Sequence, residues 1–207
     1  MKKIYLFIFN YFSLIYLSIF GRSFFYKFNS ILFKLVLKSI GYQNFGNFNF
    51  TGEKKFIKSL KKFDIKVCID IGANVGNFSD LLIKELNCKV ISFEPNKFSF
   101  EELKKLELKY KDNLKSFNYA LGDKNKKTYL YYGSKYSQLA SLDKKLNNIN
   151  FIKKKNKHKM QINSRTLDFF IKKKINLKRI DFIKIDTEGY ELEVLKGAQN
   201  TIKKFKP

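Results

Sequence analysis

Val67-Cys-Ile-Asp-Ile-Gly-Ala-Asn-Val-Gly-Asn-Phe-Ser79 is an apolar run that closes on an acid, Asp70, bends through Gly72 and Gly76, and ends on residues able to start a helix. A run of this kind is a buried parallel strand whose carboxyl end delivers the backbone to a ligand. Glycine suits the bend because it turns tightly and puts no Cβ in a ligand's path. The plain alternative is a strand–helix connection holding two glycines by chance, since a degenerate glycine loop is a weak signal by itself.

A second apolar run, Lys89-Val-Ile-Ser-Phe93, ends on Glu94-Pro95-Asn96. An acid at the tip of the second strand is where a Rossmann-type site holds ribose hydroxyls through a carboxylate. The glycine spacing is Gly72-x-x-x-Gly76, without the third glycine that cradles a pyrophosphate, which argues against NAD or FAD. A nucleoside ligand without phosphates fits better, and S-adenosylmethionine is the common one. A third run, Leu114 to Asp123, is expected to supply an edge for the adenine through Asn118 and Ala120. A fourth, Arg179 to Glu191, closes on Asp186, Glu188 and Glu191. Four strands with helices between them make an α/β chain, a Rossmann-like doubly wound sheet.

The chain resembles the FkbM-family methyltransferases that use S-adenosylmethionine. The resemblance rests on Ile69-Asp-Ile-Gly-Ala-Asn-Val-Gly76, Phe93-Glu-Pro-Asn96, Asn118 to Asp123, Thr166-Leu-Asp168, and Asp181 to Ala198, and it covers roughly residues 50 to 207. It implies a class I methyltransferase fold and O-methylation of a hydroxyl, on a sugar of a surface polysaccharide or another small molecule. Strand position and the family pattern together assign Asp70, Gly72, Asn74 and Gly76 to the cofactor's methionine part. Glu94 goes to its ribose, and Asn118 and Ala120 to its adenine. Family domains continue beyond the helix Tyr190–Lys204, whereas here only Phe205-Lys-Pro207 follow. The expected sheet therefore lacks its last strands, and its fourth strand is left as an open edge. An inactive fragment that binds a membrane or a partner is the alternative function.

On the acceptor side, alternation puts Phe182, Lys184 and Asp186 on one face of the fourth strand, and Ile183 and Ile185 on the other. A lysine in an apolar strand calls for a carboxylate partner, so Lys184 enters the expected catalytic set beside Asp186 and Glu188. Asp186 could take the acceptor's proton or orient its hydroxyl. Glu188 and Glu191 could assist or hold a divalent cation; otherwise Glu188 caps the following helix and Glu191 is a first-turn surface acid. No metal is expected. Only Pro95 and Pro207 are prolines, so the Asn/Asp-Pro-Pro-aromatic element of amino-group methylation is missing. So is the Pro-Cys nucleophile of cytosine C5 methylation, and oxygen is the surviving acceptor atom.

A net charge of +24 invites a nucleic-acid partner and a third reading as an RNA methyltransferase. Only Arg22, Arg165 and Arg179 are arginine, the usual reader of phosphates and base edges, which speaks against it. The lysine excess fits coding bias together with an anionic neighbour such as a membrane or an acidic glycan. Its densest tract, Lys153 to Lys159, is expected as a hairpin loop between Lys127–Tyr132 and Lys159–Asn163. Cys68 and Cys88 form no Cys-x-x-Cys pair and are expected as reduced thiols.

Two domains are expected, a helical segment over 1–45 and the methyltransferase domain over 46–207. Ile4 to Gly21 is uncharged and rich in Phe, Tyr, Ile and Leu, at the short end for a span. Over Ser23 to Ile40, Lys27, Lys34 and Lys38 share one helical face opposite Phe28, Ile31 and Leu35, and no acid occurs before Glu53. Residues 1–40 are therefore expected to lie on an anionic membrane, to span it, or to pack as helices over the sheet, with a cleaved signal peptide as a further reading of Ile4 to Gly21. The expected location is the cytoplasm, at the inner face of the cytoplasmic membrane. Gly41 to Asn47 reads as a linker, and Glu53 to Lys62 as the helix entering the first strand.

Overall fold

The computed structural model describes residues 2–39, 52–136, 140–142 and 157–207. The linker Gly41–Asn47 and most of the lysine tract 153–159 lie outside the described residues. The chain divides into two compact units, 1–56 and 57–207; residue 45, the expected boundary, is likewise outside them.

In the first unit α1 (Lys2–Phe20) leads through a short 3-10 turn, Ser23–Phe25, into α2 (Tyr26–Ser39). Then α3 (Gly52–Ser59) runs from the first unit into the second, with Ile57 completely buried. The second unit continues with β1 (Val67–Ile71), α4 (Asn77–Leu86), β2 (Lys89–Phe93), α5 (Lys97–Lys109), β3 (Leu114–Phe117) and β4 (Ala120–Leu121). It goes on through β5 (Lys126–Tyr132), β6 (His158–Arg165), α6 (Leu167–Lys173), β7 (Phe182–Ile185), α7 (Glu191–Lys196) and α8 (Gln199–Phe205).

The central sheet is all parallel, in the order β3-β2-β1-β7. From β1 the chain steps to β2 and β3 on one side, and β7 then returns to the other side of β1. The direction of winding therefore reverses between β1 and β7, and ligands of open α/β sheets gather at the carboxyl ends of such a switch point. This is a Rossmann-like fold. Burial on both faces explains why β1 reads as an unbroken apolar run apart from Asp70.

Alternation sorts the side chains as the sequence leads one to expect. Ile69, Ile71, Ile91, Phe93, Ile183 and Ile185 meet α6, α7 and α8 through Leu167, Phe170, Val194 and Ala198. Phe93 anchors that layer, edge-on to Phe170 at 4.9 Å between ring centres. On the opposite face Phe182 stacks on Phe78 of α4, and Lys184 Nζ lies 5.5 Å from the same ring. Cys68 and Cys88 are free thiols, both buried, with their sulfurs 3.5 Å apart. That hydrogen bond and burial push the Cys68 thiol up, well clear of ionisation at neutral pH.

One expectation needs correcting. Leu114–Asp123 is two strands, not one, because the chain turns at Asn118 and Tyr119 and leaves the central sheet. Asn118 Nδ2 donates to the carbonyls of Glu94 and Pro95 at 2.8 and 3.2 Å, fixing the turn against the end of β2. β4 then joins a second sheet in the order β4-β6-β5, where β5 and β6 pair antiparallel from Lys126↔Ser164 to Tyr132↔His158. Its small core is Ala120, Leu130 and Ile162.

Candidate active site at the carboxyl ends of the parallel strands

The glycine turn is built by backbone rather than by side chains. Gly72 N and Ala73 N both donate to Phe93 O at 3.0 Å, which clamps the turn onto the end of β2. Gly72, Asn74 and Gly76 all have positive φ, 77°, 50° and 90°. A Cβ on Gly72 would stand 1.9 Å from Asp186 O, so the group that excludes a side chain there is the chain's own backbone at the end of β7. The turn is thereby wedged between the ends of β2 and β7.

Beneath it lies a buried ion pair. Asp70 is completely buried. Its Oδ2 accepts from Ser79 Oγ at 2.6 Å, Ser79 Oγ lies 2.8 Å from Ser92 Oγ, and its Oδ1 faces Lys184 Nζ at 3.2 Å. Lys184 also donates to Gly72 O at 2.9 Å and reaches Asp186 Oδ2 at 3.4 Å. Burial opposes its charge, but Asp70 and Asp186 outweigh that, and the lysine is held above its usual value. The expected carboxylate partner of Lys184 is therefore double, Asp70 and Asp186 both lying within ion-pair distance of its ammonium. Asp70 has no exposed atom and lies beneath the turn, and Lys184 joins that turn to the end of β7.

On the other side of the turn Glu94 is 6% exposed. Its Oε2 accepts from Asn74 N at 2.8 Å and its Oε1 from Asn96 N at 2.7 Å, so one carboxylate ties the glycine turn to the start of α5. Burial pushes its pKa up to about 7 against the pull of those two N–H groups, with the charge of Asp70 adding to the rise. Each oxygen keeps a lone-pair direction beyond the bond it accepts. Asn74 Oδ1 is buried without a hydrogen-bond partner, an uncommon state for a side-chain oxygen and one that a ligand donor would relieve. Asn118 stands exposed next to Glu94, its amide nitrogen already bonded to the loop. The Ala120 side chain faces the core of the second sheet, away from Glu94's cluster.

The acids after β7 separate in character. Asp186 has 62% of its side chain exposed and keeps the lysine contact. Glu188 is half-buried in a strained left-handed backbone, φ 54°, and burial first, then Asp186 and Glu191, raise its pKa. Glu188 does not cap α7, contrary to the alternative offered for it. Glu191 instead braces the turn that precedes α7, its Oε1 accepting from Thr187 N, Thr187 Oγ1 and Gly189 N at 2.9 to 3.1 Å. Among the described residues no group of three or more His, Cys, Asp or Glu could hold a metal ion.

Sequence reasoning missed Ser79, Ser92, Asn96 and Ser141. Ser141, buried beside β5, donates its hydroxyl to Glu188 O at 2.7 Å and so pins the acid turn. Asn96 had a readable signal, since Asn before a helix is a favoured N-cap, and its Oδ1 accepts from Phe98 N at 3.1 Å. A groove of about 690 Å³ runs between Val75 and Asn77, α5 (Lys105, Leu106, Lys109) and Tyr136, and none of the expected site residues lines it.

A parallel sheet with a glycine turn after β1, a buried acid at the tip of β2 and acids after β7 defines the scaffold of a Rossmann-like methyltransferase. The family model for the FkbM methyltransferase domain matches residues 70–207, and the chain belongs to that family. It is 24% identical over 151 residues to Methyltransferase 1 of Beauveria bassiana (strain ARSEF 2860). That alignment takes in 66% of this chain and 60% of the length of that protein.

Proposed function

We propose that the protein is an S-adenosylmethionine-dependent O-methyltransferase whose acceptor is a sugar hydroxyl of a surface polysaccharide or related glycan. The observation that carries the cofactor reading is the pair made by Glu94 and Asn74. A buried carboxylate, anchored by two backbone N–H groups, stands at the tip of β2 beside an unpartnered amide oxygen. Diol hydroxyls suit the free lone pairs of Glu94, and an ammonium suits Asn74 Oδ1. Asn118 Oδ1 is left for the adenine edge.

The bound cofactor supplies an electrophilic methyl on a sulfonium, a reaction in which a carbon–sulfur bond breaks, a carbon–oxygen bond forms and the acceptor loses a proton. The chain's part is to position and desolvate the reactants and to take that proton. Lys184 Nζ, 3.4 Å from Asp186 Oδ2, orients that carboxylate, which suits Asp186 to accept a hydrogen bond from the acceptor hydroxyl. Glu188, raised by burial, is a stronger base than a free carboxylate and is the proposed acceptor of the proton.

The test is calorimetric titration of S-adenosylhomocysteine into the full chain, with Glu94→Ala in parallel. Micromolar binding that the variant loses supports the site, and transfer of a labelled methyl group to sugar acceptors then assays the reaction. In that assay Glu188→Gln should lower kcat more than it raises KM. A folded chain without affinity for the nucleoside sinks the proposal and favours a binding module. Salt-sensitive RNA binding together with RNA methylation would point to the RNA reading instead.

A further inference from the structure

Two helices, α1 and α2, make up most of the described part of the first unit. No described residue in α1 or α2 is buried. Ile8, Tyr11, Phe12, Leu14 and Leu17, spread around the whole of α1, are each 60 to 68% exposed. An apolar helix of this kind in water is unfavourable on every side. Two of its serines and Tyr16 nevertheless place their hydroxyls on partners within the helix pair. Ser13 Oγ donates to Phe9 O at 2.7 Å and Ser18 Oγ to Ile15 O at 2.8 Å, while Tyr16 OH donates to Asn29 Oδ1 at 2.7 Å. Asn29 Nδ2 in turn donates to Phe20 O at 2.8 Å, satisfying a carbonyl that the end of α1 would leave open. Hydroxyls bonded in this way are suited to hydrocarbon, where water cannot satisfy them.

The bend is equally specific. The two helices meet at 95°, with Phe20 packed against Phe25 and Phe28 at the corner. Neither helix alone is long and apolar enough to cross a membrane. Charge flanks α1 on both sides, Lys2 and Lys3 before its apolar stretch and Arg22 and Lys27 after it, and no acid precedes Glu53. Positive charge at both ends favours leaving both ends on one anionic face rather than carrying one across.

We propose that the hairpin of α1 and α2 is a monotopic anchor for an anionic lipid bilayer. In this arrangement α1 is immersed from one leaflet, and α2 lies along the headgroups with Lys27 and Lys34 towards them. This inference stands apart from the cofactor reading, and its test does not depend on activity. Flotation of the full chain with phosphatidylcholine vesicles holding about 30 mol% phosphatidylglycerol should carry the protein upward, and pure phosphatidylcholine should carry much less. Lys27→Glu with Lys34→Glu should weaken partition by about tenfold or more, and Leu14→Asp should weaken it on both vesicle types. Unchanged far-ultraviolet circular dichroism shows that each variant is folded.

With sealed vesicles, cysteines placed at Lys3 and at Ser23 should both react with a membrane-impermeant maleimide, because Cys68 and Cys88 are buried. Protection of the Lys3 position alone would mean a span and overturn the proposal. So would equal binding to neutral and anionic vesicles, soluble self-association without vesicle binding, or a mature chain cut after Gly21.

Discussion

Glu94 sets two pH dependences of opposite sign. Its ordinary value is 4.5 and burial lifts it to about 7 in the folded chain. Between those values the folded chain holds a proton that the unfolded chain has released, so stability falls as pH rises through that window and is level above it. The span corresponds to about 3 kcal/mol. Urea unfolding at about pH 5 and about pH 8 should show the loss in the wild type and not in Glu94→Gln. Affinity for S-adenosylhomocysteine runs the other way, strengthening as pH approaches about 7, because ribose hydroxyls donate to the ionised carboxylate. Lys184→Met tests the other half of the site. Removing the ammonium takes the cation from the buried Asp70 carboxyl and frees Gly72 O, a loss of about 3 to 5 kcal/mol. Denaturant titration should show that loss, and calorimetry should show weaker nucleoside binding with it, the mark of a positioning residue.

Short elements here are held by caps that cross between them. Asp168 of the Thr166-Leu-Asp168 motif accepts from Asn200 N and Nδ2 and from Thr201 N and Oγ1, at 2.7 to 3.1 Å. It therefore serves as the N-terminal cap of α8, while Thr166 caps its own helix through Phe169 N at 3.1 Å. Asp168→Ala should cost about 1 to 3 kcal/mol in thermal or urea unfolding and leave the Kd for S-adenosylhomocysteine near the wild-type value. The first helix was legible from its lack of charge, and the turn after β1 from its glycines. The break between β3 and β4 was not, because the residue that makes it, Asn118, bonds to carbonyls in the loop after β2, distant in sequence. Ser141 was equally hidden, since only folding brings it to Glu188.

For the whole molecule, a ligand that binds only the folded state raises its stability by mass action. S-adenosylhomocysteine at a hundred times its Kd should add about 2.7 kcal/mol, a rise in Tm of roughly 5 to 10 °C for a chain of this size. Scanning calorimetry should show that rise in the wild type and none in Glu94→Ala. From Val67 to Gly76 and from Lys89 to Asn96 the sequence by itself determined the parallel strands, the turn and the acid at the tip of β2. Periodicity, glycine and terminal acids are local properties. Alternation also determined which side of β7 faces the core. Only the tertiary structure decided that β7 lies beside β1, that Gly72 is excluded from carrying a side chain by Asp186 O, and that Lys184 bridges Asp70 to Asp186. These depend on which strands become neighbours, and strand order is set by the burial of whole faces against one another rather than by any one segment.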